Sequence, residues 1–348
     1  MSNEIRLTQF AKGAGCGCKI APAVLEQILA STHVHLPQGN ILVGNAHNDD
    51  AAVYDLGNGQ ALVITADFFM PIVDDAFIFG KVAAANAISD VYAMGARPIT
   101  AIALLGWPID KLSAELASRV MDGARATCAE AGIVISGGHT VDAAEPFFGL
   151  SVNGLAPIGH IKRNSTAQAG DIILLSKPIG VGILATAQKR GVLLAEHEKE
   201  FLAQLTTLNK LGEVLGKQET VTAMTDVTGF GLLGHLIEMC QGADLSAEIT
   251  YHHIPKLASA LGYLKQGIIP DAAYRNWNAY ANQVSIASSL DPMESFGMLT
   301  DPQTNGGLLV AVRPESVNEV MELAKQSTVE LTEIGRFIPQ SEHRVNVL

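Results

Sequence analysis

The chain has 348 residues, of which 48% are hydrophobic and 17% charged, and its formal net charge is −12. This length and balance predict a folded protein of two domains and exclude a disordered chain. The negative charge argues against nucleic acid and anionic membranes as partners, because both are polyanions. Aromatic residues make up only 5% of the chain, so a base-stacking surface for single-stranded nucleic acid is not expected.

The cysteines and the N-terminus indicate the compartment. Four cysteines in a chain of this length do not predict a disulfide framework. Cys128 and Cys240 stand alone in apolar, helix-like stretches, where a free cysteine is usually part of the core. The first residues lack the features of a secretory signal, and no apolar run approaches the roughly 18–20 residues that cross a bilayer. We therefore expect a protein of the reducing cytoplasm without a membrane partner.

The first half of the chain alternates between helical and strand periods. Ser113 is a plausible N-cap of one helix, and Gly57-Asn-Gly59 predicts a turn between two strands. Helices are predicted at Pro22–Ala30, Phe79–Met94 and Lys111–Ala131. Strands are predicted at Ala51–Asp55, Ala61–Ala66, Ile99–Leu105, Ile133–Ser136 and Phe148–Ala156.

A polar stretch near Ile158–Gly170 separates the first half from a second α/β unit. Residues 262–300 have no clean period and receive no assignment. The interleaved elements predict a mixed α/β class, with a glycine-rich N-terminal segment at 1–47, a domain at 48–157 and a second domain at 158–348. In the second unit, strands are predicted at Asp171–Ser176, Val221–Thr225, Gly306–Val312 and Glu330–Ile334, and helices at Glu196–Leu215, Leu232–Cys240 and Glu315–Lys325.

The most distinctive segment is Gly-Ala-Gly-Cys-Gly-Cys-Lys at residues 13–19. Its three glycines leave the backbone nearly unrestrained, so we expect neither helix nor strand there. A thiol on a mobile polar loop beside a lysine tends to have a lowered pKa, and the thiolate is the reactive form. We interpret Cys16 and Lys19 as an active-site pair on a loop that closes over a ligand. The alternative is half of a zinc site built on Cys16 and Cys18, although no second thiol pair follows.

Several aspartates lie next to predicted strands or within an apolar helix. Asp67 and Asp226 each come directly after a strand, and Asp50 precedes one. Asp90 lies in a helix of small residues, four positions after Asn86, so the two share a helix face. Each aspartate alone is explained equally well as a helix cap or turn residue. Together they favour a shared site for a hard cation such as magnesium.

Two glycine-rich segments have the composition of phosphate-binding loops. Gly137–Thr140 follows a predicted strand, and Asp226–Gly234 opens a predicted helix, so their amides could point at an anion. Neither matches the P-loop or dinucleotide-binding pattern, and tight turns use the same residues. Asp301–Gly307 is explained by a turn before a strand, although Gln303 and Thr304 could also contact a ligand.

The distinctive segments follow one another through most of the chain. They are Gly13–Lys19, Asp49–Tyr54, Thr65–Met70, Asn86–Asp90, Gly137–Thr140, Thr225–His235 and Asp301–Gly307. Together they closely resemble the bacterial type of the selenophosphate synthetase (selenide, water dikinase) family. The first segment is specific to that family. The later ones are shared in looser form by aminoimidazole ribonucleotide synthetase, thiamine-monophosphate kinase and the hydrogenase maturation dehydratase.

The resemblance implies a fold, a reaction and an assembly. The fold is the two-domain aminoimidazole ribonucleotide synthetase-like fold, in which the N-terminal sheets of two subunits pair into a barrel and ATP binds along the dimer interface. The reaction converts ATP, selenide and water to selenophosphate, AMP and phosphate, and so supplies activated selenium for selenocysteine and selenouridine. Magnesium is the implied cofactor, and K⁺ or another monovalent cation is a further candidate. A homodimer and a selenium-delivery protein are the implied partners.

The same resemblance assigns roles to individual residues. Cys16 matches the active-site cysteine, and Lys19 matches the catalytic lysine, which also contacts the nucleotide. The implied magnesium ligands are Asp50, Asp90 and Asp226. The other implied ATP contacts are His47, Asn48, Asp49, Asp67, Asp90, Gly138, His139 and Thr140.

Two other functions are compatible with parts of the sequence. An ATP-dependent synthetase or kinase of the same superfamily, acting on a carbon substrate, has no evident use for Cys16 and Lys19. A non-enzymatic metal or thiol carrier built on Cys16 and Cys18 needs no hard-cation site. The thiol loop and the aspartates together favour phosphoryl transfer, in which positioning and charge neutralisation do most of the work.

Overall fold

The structure is a computed structural model that describes residues 5–20, 24, 28, 39–44 and 48–348. Most of the predicted helix at Pro22–Ala30, the predicted ATP contact His47 and the side chain of Cys18 lie outside this description. Two β-sheets, one in each half of the chain, organise the described residues. Among these residues, no helix is both long and apolar enough to cross a membrane.

A six-stranded sheet occupies the first half, in the order β1-β2-β3-β6-β4-β5. Its pairings are antiparallel except for β4 with β5. The first helix packs on β3 and β6, and the second helix packs on the first. The strands are β1 (Ile41–Val43), β2 (Ala52–Asp55), β3 (Gln60–Phe69), β4 (Arg97–Trp107), β5 (Ile135–Asp142) and β6 (Phe147–Pro157), and the helices are α1 (Ala76–Ala93) and α2 (Ala114–Glu130).

Helix α1 is buried on nearly all sides because its side chains are small. Asp75 caps its N-terminus by accepting a hydrogen bond from the Ile78 amide at 2.8 Å. The alanines of residues 83–87 allow the sheet and α2 to approach closely on different faces. The polar residues of this helix are therefore held at fixed positions inside the protein.

In the part of the chain that the structure describes, one face of the six-stranded sheet carries exposed apolar side chains and is here called the uncovered face. Tyr54, Ile64, Phe68 and Ile102 alternate with buried residues along their strands and point away from α1. Phe68 is 53% exposed and Ile102 42% exposed. Exposed apolar side chains on a sheet face are typical of a protein–protein interface.

A seven-stranded sheet occupies the second half, in the order β10-β13-β9-β12-β7-β11-β8. Strand β11, which pairs with β7 and β8, is buried along its whole length. The strands are β7 (Ile172–Leu175), β8 (Val221–Asp226), β9 (Leu245–Ile249), β10 (Val284–Ile286), β11 (Leu308–Val312), β12 (Thr332–Pro339) and β13 (Val345–Val347). The helices are α3 (Val181–Lys189), α4 (Ala195–Thr206), α5 (Leu211–Gly216), α6 (Gly231–Ala243), α7 (Ala260–Lys265), α8 (Asp271–Tyr280), α9 (Pro292–Leu299) and α10 (Val317–Gln326).

The two sheets with their helices confirm the predicted mixed α/β class. The domain bounds at 47/48 and 157/158 stay a prediction, as does a barrel formed by two subunits. The unassigned region 262–300 contains α8, α9 and β10, and its short elements explain why no clean period is visible.

Gly137–Thr140 is expected to follow a strand as a phosphate-binding loop, but these residues lie inside strand β5. Gly138 is explained by the sheet. A Cβ atom on Gly138 would lie 2.4 Å from the Ala103 carbonyl oxygen of the neighbouring strand. Glycine therefore serves close strand pairing here and not a turn.

The predicted single helix at Glu196–Leu215 is also wrong, because α4 ends at Thr206 and α5 begins at Leu211. The break turns Asn209 inward, where its side-chain amide donates to the Gly306 carbonyl at 2.8 Å. The sequence pattern across α4 and α5 is that of one amphipathic helix. It does not mark the break, because the polar residue at the break, Asn209, faces the interior.

Candidate active site

A cavity of about 720 Å³, here called the carboxylate cavity, is lined by residues of both halves of the chain. Its wall brings together seven of the residues predicted for the site. They are Lys19, Asn48, Asp49, Asp50, Asp67, Asp90 and Asp226. Segments that are far apart in sequence thus place one lysine and six carboxylates around one space, since Glu238 lines it as well.

Helix α1 and strand β8 hold the two halves together at the floor of this cavity. Ser89 donates its hydroxyl hydrogen to the Asp226 carboxylate and accepts a hydrogen bond from the Asn209 amide at 2.7 Å. Asp90 directly follows Ser89 in α1, and Asp90 Oδ2 accepts a hydrogen bond from the Thr65 hydroxyl at 2.6 Å. Both carboxylates are therefore fixed by neutral donors and have no paired cation in these bonds.

Asp50 has one satisfied and one unsatisfied carboxylate oxygen. Its Oδ1 accepts a hydrogen bond from the Thr225 hydroxyl at 2.9 Å. Its Oδ2 is buried and has no hydrogen-bond partner among the described residues. An unsatisfied buried carboxylate oxygen is costly unless a cation binds it.

The carboxylates of the cavity disfavour one another's ionisation. Burial raises the pKa of Asp50 and of Asp90, and the nearby Asp226 carboxylate raises both further. Burial likewise raises the pKa of Asp67, although Lys19 opposes this shift. A bound cation would remove this repulsion and return the carboxylates to their charged form.

The donor set fits magnesium shared with a phosphate group. Among residues 5–20, 39–44 and 48–348, no three side chains of the His, Cys, Asp and Glu types converge closely enough to enclose a metal by themselves. Mg²⁺ is usually bound through one or two carboxylates together with substrate phosphates and waters. The orphaned oxygen of Asp50 and the oxygen-only donors match that mode of binding.

Cys16 lies on a short 3₁₀ turn at Gly15–Cys18, so the expectation of an irregular loop is wrong. Its amide donates to the Thr304 hydroxyl at 3.0 Å, and its Sγ donates to Asn86 Oδ1 at 3.2 Å. The residue is 2% exposed. Gly229 allows this packing, because a Cβ atom there would lie 2.5 Å from the Cys16 carbonyl oxygen.

The predicted lowering of the Cys16 pKa is wrong for this conformation. Burial raises the pKa of the thiol well above its ordinary value, and the Asp67 carboxylate adds to the shift. Lys19 acts in the opposite direction but does not outweigh them. In this closed arrangement Cys16 is held as a thiol that donates to Asn86.

Asn86 links the thiol to the carboxylate cavity. Its side-chain amide donates to the Asp67 carboxylate, while its Oδ1 accepts from the Cys16 thiol and from the Asn305 amide. Asn86 itself is fully buried. A single amide therefore sets the distance between the thiol and the nearest carboxylate.

Lys19 is an exposed residue on the wall of the carboxylate cavity. Its amide donates to the Cys16 carbonyl at 3.3 Å, and its ammonium lies 5.8 Å from the centre of the Phe230 ring. Desolvation acts to lower the pKa of the ammonium, but the carboxylates, led by Asp67, raise it above its ordinary value. Lys19 is thus a permanent cation beside the carboxylates.

The other predicted residues occupy different places. Asn48 donates to Glu238 Oε1 at 3.3 Å, and Asp49 accepts from the Asn164 amide at 2.8 Å, so both are fixed at the cavity rim. Gly138, His139 and Thr140 are exposed on edge strand β5 and do not line the cavity.

Several residues of the site were not assigned from the sequence. Thr65 and Thr225 hold carboxylates, Asn86 and Thr304 hold Cys16, and Ser89 joins the halves. A sequence signal exists for the helix residues of the site: Asn86, Ser89 and Asp90 are spaced so that they share one face of a helix of small residues. Thr65 and Thr225 have no such signal, since threonine is common in strands.

Comparison with known proteins identifies the family. Residues 48–156 match the N-terminal domain of the AIR synthase related proteins, and residues 168–348 match their C-terminal domain. The selenide, water dikinase of Photorhabdus laumondii subsp. laumondii is 51% identical over 99% of this chain and 98% of its own length. That of Escherichia coli strain K12 is 52% identical with the same coverage.

Solved structures show the same fold at lower identity. Thiamine-monophosphate kinase from Stenotrophomonas maltophilia K279a superposes with a TM-score of 0.64 at 22% identity, over 93% of this chain and 95% of that one. This likeness confirms the predicted two-domain fold. The family matches and the near-full-length relatives agree with it: this chain belongs to the selenide, water dikinase family of AIR synthase related proteins.

Proposed function

We propose that this protein makes selenophosphate from ATP, selenide and water and releases AMP and phosphate. The observation that carries the proposal is the position of Cys16 and Lys19 at the edge of a cavity lined by carboxylates. A kinase for a carbon substrate would need the carboxylates but not the thiol. The similarity of almost the whole chain to selenide, water dikinases supports the same substrates.

We assign the nucleotide site to the carboxylate cavity. Asp50, Asp90 and Asp226 would hold magnesium, which supplies charge neutralisation for the triphosphate when bound. Asn48, Asp49 and Asp67 would contact ATP from the rim and the β3 strand, and K⁺ is a further candidate for the same oxygen donors. Lys19 neutralises charge on the transferred phosphoryl group, because its raised pKa keeps it protonated.

We assign the selenide to the thiol side of the site. Cys16 and Lys19 line a small pocket of about 200 Å³ together with Asp67, Phe68 and Phe147. Its wall is mainly apolar, which suits a soft, polarisable atom, while Lys19 supplies a positive charge. Asn86 holds the thiol at this pocket and thereby positions it beside the nucleotide site.

The nucleotide product tests the proposal. A simple kinase releases ADP, whereas a dikinase must retain ADP after the first transfer and direct water at it within a closed site. We expect AMP, orthophosphate and selenophosphate in equal amounts, measured by phosphorus NMR in an anaerobic reaction with magnesium and selenide. Stoichiometric accumulation of free ADP would rule out the dikinase and leave an ordinary kinase of the same fold.

We propose a homodimer formed through the uncovered face of the six-stranded sheet. Its exposed apolar side chains, including Ile102 and Phe68, would pair with the same face of a second copy. Gly138, His139 and Thr140 lie on the adjoining edge strand, and we infer that they reach ATP in the partner's cavity across this interface.

A charged substitution on this face tests the dimer. Ile102→Asp is expected to give a monomer with little or no activity, because a carboxylate would be buried in the apolar interface. Light scattering after gel filtration measures the mass. Met293→Asp, at a residue 58% exposed on α9, is the matched control and should stay dimeric. A parent protein that is monomeric at working concentration would contradict the proposed assembly.

We place the reaction in the cytoplasm, where a reducing environment keeps Cys16 as a thiol. Within the described part of the chain, Cys16, Cys128 and Cys240 are free, which is compatible with that compartment. A selenium-delivery protein would limit the release of free selenide and remains a proposed partner.

A further inference from the structure

A second cavity, here called the basic cleft, borders the same N-terminal segment as the thiol. Its volume is about 370 Å³, and it shares no lining residue with the carboxylate cavity. Its charged lining consists of four cations and one acid, Asp271, in a protein whose net charge is −12. The four cations are Lys12, Lys189, Arg190 and Arg275.

Two of these cations hold the N-terminal segment in place. The Lys189 ammonium donates to three consecutive carbonyl oxygens, those of residues 11–13, at 2.9, 3.0 and 3.1 Å. Arg275 Nη2 donates to the Gly17 carbonyl at 2.7 Å. The segment is therefore fixed on both sides of Cys16.

The other two cations do not bind the N-terminal segment. Lys12 and Arg190 are exposed. Neither side chain has a hydrogen-bond or ion-pair partner among the residues that the structure describes. Their charges are therefore directed at the solvent of the cleft and are available to an anion.

A narrow crevice lies between the basic cleft and the carboxylate cavity and adjoins both. Its volume is about 10 Å³, roughly the space of one water-sized probe. It shares Gly17 and Arg275 with the cleft and Lys19 and Phe230 with the cavity, and Cys16 forms part of its wall. A path from the cleft along these shared residues would therefore pass the thiol before it reached the carboxylates.

The charges of the two cavities favour different substrates. Selenide is an anion near neutral pH. The carboxylate cavity contains six acidic side chains besides any nucleotide phosphates, and like charges repel an approaching anion. A cleft lined by cations concentrates anions and increases their rate of arrival.

We propose that the basic cleft is the entrance for the anionic chalcogen substrate, selenide, which Lys12 and Arg190 recruit and which passes Gly17 to reach Cys16. ATP would then occupy the carboxylate cavity from the other end of the path. This route rests on the proposed function of Cys16 in selenide binding, and it adds an entry site that is separate from the nucleotide site.

A double variant, Lys12→Gln with Arg190→Gln, tests the entrance by kinetics. At low ionic strength the KM for selenide should rise about 5–10-fold, with less effect in high salt, because the steering field is lost. The kcat and the KM for Mg-ATP should stay unchanged. Lys265→Gln with Lys325→Gln removes the same charge from exposed positions elsewhere and should behave like the parent. An unchanged KM for selenide, or a parallel rise in the KM for Mg-ATP, overturns the route.

A second readout does not depend on enzyme activity. The rates at which Cys16 reacts with anionic iodoacetate and with neutral iodoacetamide are compared by peptide mass spectrometry. The double variant should lower the ratio of the iodoacetate rate to the iodoacetamide rate several-fold, and the control should not. An unchanged ratio overturns the entrance even if selenophosphate is formed. A lowered ratio in a protein that makes no selenophosphate supports the entrance and rejects the function instead.

Discussion

Lys19→Ala is expected to reduce selenophosphate formation by about 10³-fold or more, the usual effect of removing a group that stabilises transition-state charge. The side chain is exposed and its amide bond to Cys16 is unaffected, so the fold and much of the ATP affinity should remain. The rate is measured by phosphorus NMR under anaerobic conditions, and circular dichroism verifies the fold. Retention of more than about a tenth of the parent rate would contradict the assigned role of Lys19.

Cys16→Ser is expected to abolish the reaction as well. Serine can donate to Asn86 in place of the thiol, so the buried hydrogen bond survives while the soft sulfur is lost. Cys18→Ser serves as the comparison and should be milder, because only Cys16 matches the family position. Equal loss at both cysteines, together with zinc in the purified parent, would instead support a metal carrier.

Asp50→Asn, Asp90→Asn and Asp226→Asn should each weaken magnesium-dependent ATP binding, by about 10–100-fold in Kd. Each substitution removes a charge that would face the cations of the triphosphate. Calorimetric titration with magnesium and a non-hydrolysable ATP analogue measures the change. Asp110→Asn, at an exposed position outside the cavity, is the matched control. Parent-like binding by all three variants would refute the shared-metal site.

The same variants should not lose stability without magnesium. Burial and the Asp226 carboxylate raise the pKa of Asp50 and Asp90, which means that the charged forms are disfavoured in the folded protein. A neutral amide removes that repulsion, so the thermal midpoint of the metal-free protein is expected to stay equal or to rise. A lower midpoint in all three would indicate that weak ATP binding results from misfolding.

The sequence predicts some parts of the site because they depend on local patterns. Asp226 ends strand β8, and Asp90 stands out in a helix of small residues, so their functional roles could be proposed from sequence alone. Asp67 is predicted to follow a strand but lies inside β3, which continues to Phe69. The environment of Cys16 could not be predicted in this way. Its burial depends on Asn86 and Thr304, which are 70 and 288 residues away.

Glycine-rich segments do not by themselves distinguish a turn from a strand, because the difference depends on residues far away in the sequence. Gly137 and Gly138 have the composition of a turn or a phosphate-binding loop, but Gly138 serves the close pairing of β5 with β4, and only the neighbouring strand reveals this. The break at Asn209 is similar, because its partner Gly306 lies 97 residues further along the chain. Local periodicity carries no information about contacts at such separations.

The bond between the Cys16 amide and Thr304 has a consequence for biosynthesis. The segment that carries the thiol is made before its partner, which lies 288 residues further along the chain. Contacts between such distant positions close late in folding. A growing chain therefore carries Cys16 without this contact until Thr304 has been made. Ribosome-bound and prematurely ended chains would present that thiol to cellular oxidants and electrophiles before the completed fold buries it.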